Sequence, residues 1–137
     1  MNARGEIDLP DSVLERLDIA IASIHMPCFK DERTIDNVTA AYEKVMEHPY
    51  VDIIGHPDDG RFPVDMKRLV KKAKETGTLL EVNNSSLRPE GFRENTKENC
   101  LEMVKECKAQ GVMIVLGSDS HVDADIAEYP YAEEILR

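Results

Sequence analysis

Four short runs of Val, Ile and Leu punctuate this chain: Leu17 to Ile24, Val51 to Gly55, Thr78 to Val82 and Val112 to Gly117. Each is apolar on both faces, as strands buried in a parallel sheet are. Between them the apolar residues recur at helical spacing. Thr34 to Glu47 carries Ile35, Val38, Tyr42 and Val45, with Thr34 placed to cap the start and His48-Pro49 to end it. A second helix opens at Pro63 and stops at Gly77, with Met66, Leu69, Val70 and Ala73 as its buried stripe. A third runs from Thr96 to Gln110, where Asn95 with Glu98 forms a capping-box pattern and Gly111 follows. Its stripe is Cys100, Met103, Val104 and Cys107. A short helix at Asp11 to Arg16 precedes the first strand.

The order is β-α-β-α-β-α-β, and right-handed crossovers of this kind give a parallel α/β sheet. About four βα units are half of a (β/α) barrel, which takes roughly 250 residues. A half barrel would leave two open strand edges needing cover. The alternative is an open sheet complete on its own.

Every strand run ends in a polar cluster. The first ends at His25, the second at His56-Pro57, the third at Asn83-Asn84-Ser85-Ser86, and the fourth at Ser118-Asp119-Ser120-His121. Active sites of parallel α/β proteins gather at these C-terminal ends. The pattern therefore predicts one shared site, and its His and Asp residues suit a metal site. Asp119 and His121 stand two apart, so on a strand they project to one face. His25 and His56 occupy equivalent strand ends, where the ordinary alternative is a hydrogen-bonded core histidine. His48 sits at a helix end and is assigned no chemistry. Glu81 lies within a strand, placed to orient ligands. Arg88 and Arg93 follow in the loop Leu87 to Glu94, where arginine offers a planar fork to phosphate or is simply solvated. No phosphate-binding P-loop, GxSxG elbow or HExxH helix is present.

Composition narrows the classes. The 137 residues suffice for one domain with a core, and 42% hydrophobic with 32% charged residues fits a folded globular chain. A net charge of -10 excludes a general nucleic-acid track. The basic run Arg61, Lys67, Arg68, Lys71, Lys72 and Lys74 reads as a solvated helix face. Three cysteines without a CxxC pair read as a reduced, cytoplasmic protein, with Cys100 and Cys107 in the core and Cys28 in a loop. No apolar run approaches the roughly 18 residues of a membrane helix, and the opening residues do not form a secretory signal.

The strand-end set Ser23-Ile24-His25, Ile54-Gly55-His56-Pro57, Glu81-Val82-Asn83-Asn84-Ser85-Ser86 and Gly117-Ser118-Asp119-Ser120-His121 resembles the PHP (polymerase and histidinol phosphatase) superfamily, in its YcdX-like phosphatase branch. The resemblance implies a distorted seven-stranded barrel of the TIM type, a trinuclear metal site and phosphate ester hydrolysis. It matches His25, His56, Asp119 and His121 to metal ligands, with Asp119 and His121 also catalytic. Asn83, Asn84, Ser85, Arg88 and Arg93 would contact substrate. The expected cofactors are divalent ions, zinc first, with manganese or iron as alternatives. The family's opening HxH motif, two further histidines and a bridging glutamate have no counterpart here. Residues 1–137 therefore resemble the C-terminal part of the domain, with the N-terminal HxH-bearing part absent. The expected function is a metal-dependent phosphoesterase. The alternatives are a catalytically incomplete binding or regulatory module, or one half of a split enzyme. The expected partners are a small phosphorylated substrate and either a second copy or a complementary N-terminal half, with no nucleic acid and no membrane.

Overall fold

The computed structural model describes residues 1–137. Five α-helices and four strands follow one another as α1 (Asp11–Leu14), β1 (Ile21–Ala22), α2 (Ile35–Val45), β2 (Ile53–Ile54), α3 (Met66–Thr76), β3 (Leu79–Asn83), α4 (Thr96–Gln110), β4 (Ile114–Gly117) and α5 (Pro130–Leu136), with a 3₁₀ turn at Asp123–Asp125 before α5. The strands form one parallel sheet in the order β1-β2-β3-β4. The registers Ile21 to Ile53, Ile53 to Leu79 and Leu80 to Ile114 align the strand ends side by side.

Capping residues set the helix bounds. The Thr34 side chain accepts from the Asn37 N–H at 3.1 Å and satisfies one of the free first-turn donors of α2. Asp65 does the same for α3 at Arg68 N–H, so that helix starts at Met66 rather than at Pro63. Gly77 and Gly111 close α3 and α4 in the left-handed conformation, at φ +77 and +72. The predicted capping box of α4 does not form. Asn95 itself is left-handed, at φ +50, and its side chain caps nothing.

The core joins the inward stripes of the helices to the sheet. Val38, Tyr42, Leu69, Val70, Leu80, Val82, Cys100, Met103 and Cys107 are all buried. Burial holds both of these cysteine thiols well above their ordinary range, Cys100 at about 12. Cys28 is exposed. Part of the basic run is paired: Arg68 meets Glu43 at 2.8 Å and Asp36 at 3.0 Å, and Lys72 meets Glu47 at 2.9 Å. These contacts tie α3 to α2 across a solvated surface.

The outer strands are shorter than their apolar runs. Only Ile21 and Ala22 of the run from Leu17 to Ile24 form β1. Ile19 and Ile21 are exposed, because β1 is an edge strand with a neighbour on one side only. The Asp52 carboxylate extends the edge ladder by accepting from Ala20 N–H at 2.8 Å. β4 is the opposite edge, half-buried throughout. The expectation of strands buried on both faces therefore holds for β2 and most of β3 but not for β1 or β4.

Candidate active site

Glu81 organises the strand ends. Its side chain is buried, and Oε2 accepts from the backbone N–H of His56 at 2.7 Å and from Asn83 Nδ2 at 3.1 Å. Burial raises its pKa, and the hydrogen bonds from Asn83 and His56 oppose that rise. Gly117 makes the arrangement possible, since a Cβ there would overlap the Glu81 carboxylate. Thus β3 fixes the turn after β2 while β4 leaves room for the fixing group.

His56 is held at φ +36, a conformation rarely adopted by residues with a side chain. Its ring stands edge-on to His25, centroids 5.0 Å apart at 80°. Ser23 Oγ lies 2.9 Å from His25 Nε2. Burial, then the Arg93 charge, then His25 lower the His56 pKa to about 4. Burial and Arg93 lower His25 as well. Both imidazoles are therefore neutral at pH 7, as a metal ligand or a proton acceptor must be.

Arg93 is the cationic hub of the site. Its side chain is only 8% exposed, and it sits 3.3 Å from Asp119 and 3.8 Å from Asp59. Nη1 donates to Ser86 Oγ at 2.7 Å and to Asn83 Oδ1 at 3.4 Å. Nε has no hydrogen-bond partner. Arg88, by contrast, pairs outward with Asp125 at 2.7 Å. The arginine loop is therefore split between one buried and one surface cation.

The asparagine cluster has divided duties. Asn83 Oδ1 accepts from Ser86 N–H at 2.8 Å, closing the turn after β3. Asn84 Oδ1 accepts from Tyr131 and Ala132 N–H at 2.9 and 3.1 Å, so it holds the start of α5. Its acceptor is committed to the fold. Ser85 is half-buried at the same turn.

The Asp119–His121 spacing does not act as strand spacing. β4 ends at Gly117, and Asp119 lies beyond it at φ +49. Asp119 turns to Arg93, while His121 is exposed with Nδ1 3.0 Å from the Asp119 carbonyl. The expectation that both side chains project together from one strand face is therefore corrected. Of the four expected ligands, His25 and His56 adjoin, Asp119 is paired with Arg93, and His121 stands apart. No three His, Cys, Asp or Glu side chains converge as a metal-binding group.

Sequence reasoning passed over Asp58 and Asp59 and read Arg61 only as part of the basic run. Asp59 is 2% exposed and binds Arg61 Nε through both carboxylate oxygens, at 2.9 and 3.1 Å. Asp58 is completely buried, and neither of its oxygens has a partner. Burial pushes it up to about 7. Paired carboxylates directly after His56-Pro57 were the available signal.

Comparison with known proteins extends this picture. No protein-family model matches the chain. The chain is 48% identical over 133 residues to a probable phosphatase of Clostridium novyi, covering 97% of this chain and 53% of that protein. It is 39% identical over 137 residues to a probable phosphatase of Thermoanaerobacter pseudethanolicus, covering 100% of this chain and 55% of that one. A probable phosphatase of Acetivibrio thermocellus is 40% identical over 132 residues, 96% of this chain and 53% of its own length. The chain spans about half the length of the curated relatives it matches. Over nearly all of its own length, then, it is similar to one half of proteins named as probable phosphatases.

Proposed function

We propose that this chain is the phosphate-binding portion of a phosphoesterase of the PHP type, and that Arg93 is the residue that binds the phosphate oxygens. The observation carrying the proposal is the Arg93 guanidinium, held by Ser86 and Asp119 and lining an open cavity near the strand ends, where its charge acts on both neutral imidazoles. Similarity to probable phosphatases supports the same reading. An arginine fork is suited to two phosphate oxygens at once. Ser86 and Asn83 orient the fork, and Asp59 and Asp119 balance its charge until an anion arrives. His25 and His56 keep a nitrogen lone pair available at pH 7 for a water proton or a cation.

A divalent ion, zinc first and manganese or iron as alternatives, is part of this proposal. The residues present do not complete its site, since no third ligand converges on His25 and His56. The remaining ligands would come from a complementary N-terminal half or from a second copy of the chain, which would also cover the edges β1 and β4 and build toward a barrel. No helix is long and apolar enough to cross a membrane, and the proposed setting is the cytoplasm. The incomplete ligand group also favours a second reading, a phosphate-binding module without turnover.

Two measurements test the proposal. In calorimetric titration with inorganic phosphate, Arg93→Gln is expected to weaken binding at least about ten-fold, the scale of a lost charge-assisted fork. Unchanged affinity would remove Arg93 from the phosphate site. Elemental analysis across a size-exclusion peak is expected to find bound metal only in an assembled species. A stoichiometric ion on the monomer would show that assembly is not required. Turnover absent even with a complementary half supplied would favour the binding module.

A further inference from the structure

Phe92 is the most exposed of the large apolar side chains, at 74%. The other two phenylalanines, Phe29 and Phe62, are buried against each other. An aromatic ring left in water forgoes a large burial gain, and this one is not loosely placed. The Arg61 guanidinium lies 4.8 Å from its centroid and the Arg93 guanidinium 5.4 Å. Both cations are anchored, Arg61 by Asp59 and Arg93 by Ser86 and Asp119. The ring thus rides on two fixed charges, a stabilising cation–π arrangement, while most of its surface stays free.

Its position matters as much as its exposure. Phe92 and Arg93 line one open cavity of about 290 Å³ together with Ser85, Ser86 and Arg88. A phosphate held by Arg93 would leave its ester substituent next to the Phe92 ring. We propose that Phe92, backed by Arg61, is a stacking platform for the alcohol portion of the ligand, and that the preferred ligand is a phosphomonoester carrying a planar aromatic ring. This rests on the phosphate-binding reading above and adds a ligand class to it. Arginine beside the stack further favours an electron-rich ring.

The test compares affinities of the same chain for phenyl phosphate against methyl phosphate, and for adenosine monophosphate against ribose 5-phosphate. Each pair shares the phosphate and differs in the ring. Stacking of ordinary strength predicts a preference of roughly five-fold for the ring-bearing member of at least one pair. Preference in the first pair alone assigns a simple aryl group, and preference in the second a nucleobase. Phe92→Leu is expected to bring the ratio to about one. Because Phe92 is largely in solvent, this change leaves the core intact. Phosphate esters that bind without a ring preference would overturn the platform and leave Arg93's role standing. A preference that survives Phe92→Leu would also overturn it. If no ester binds at all, the phosphate reading itself falls, and this one with it.

Discussion

Replacing Asp58 with asparagine is expected to stabilise the protein above pH 7 and to uncover an acid sensitivity that the natural chain conceals. Asp58 is fully buried with both oxygens unpaired, and its pKa rises from 3.8 to about 7. A carboxyl raised this far favours the folded state only while it is protonated. Its contribution is complete below pH 3.8 and is lost as pH climbs through 7, a difference of about 4 kcal/mol. His56 works in the opposite sense. Its pKa falls from 6.5 to about 4, so the stability it contributes is present above pH 6.5 and is lost as pH drops through 4, by about 3 kcal/mol. Between pH 4 and 6.5 the two slopes nearly cancel. Asp58→Asn removes one of them. An unpaired buried amide keeps some polar penalty, so the gain at pH 8 is expected at about 2 kcal/mol. In the variant, urea midpoints should fall steadily from pH 6.5 to 4, while those of the natural chain change less. Identical profiles for the two proteins would show that Asp58 finds a partner in solution.

Gly117→Ala is expected to cost about 3 kcal/mol, although the change adds a single methyl at the end of a strand. The new Cβ would occupy the position of the Glu81 carboxylate. Glu81 would have to swing away from the His56 N–H and from Asn83, leaving buried donors without partners. The cost should depend on Glu81. In an Glu81→Ala background the same glycine change is expected to cost less than about 1 kcal/mol, which a double-mutant cycle in urea would read as strong coupling. Additive losses would mean that the strain lies in the β4 backbone instead. The same displacement should disturb the His25–His56 ring contact, visible in the histidine ring resonances.

Residue pattern alone carried much of this architecture. α4 occupies Thr96–Gln110 as its periodicity predicts, and both glycine stops and the Thr34 cap form. These features are local, decided by the chain within a few residues. α5 was not legible. Its single buried residue is Ala132, and its first turn is held by Asn84, far away in sequence. At the site, the meeting of His25 and His56 followed from equivalent strand ends. The fates of Asp119 and His121 did not, because the turn after Gly117 takes a positive φ that strand spacing cannot anticipate. Arg61 and Asp58 escaped for a related reason. One read as part of a basic surface run and the other as a turn residue, and only the packed loop shows which cation is anchored and which carboxylate is alone.

The strand order has a consequence for how the molecule is made. Each strand pairs only with the strand before or after it in the chain. No strand is threaded between two already in place, and only α5 reaches back past its neighbours, to Asn84. The order lets the sheet grow by one βα unit at a time, each new strand adding to an exposed edge. The same rule makes the architecture extensible: units added beyond β1 or β4 would lengthen the sheet without rethreading what is there.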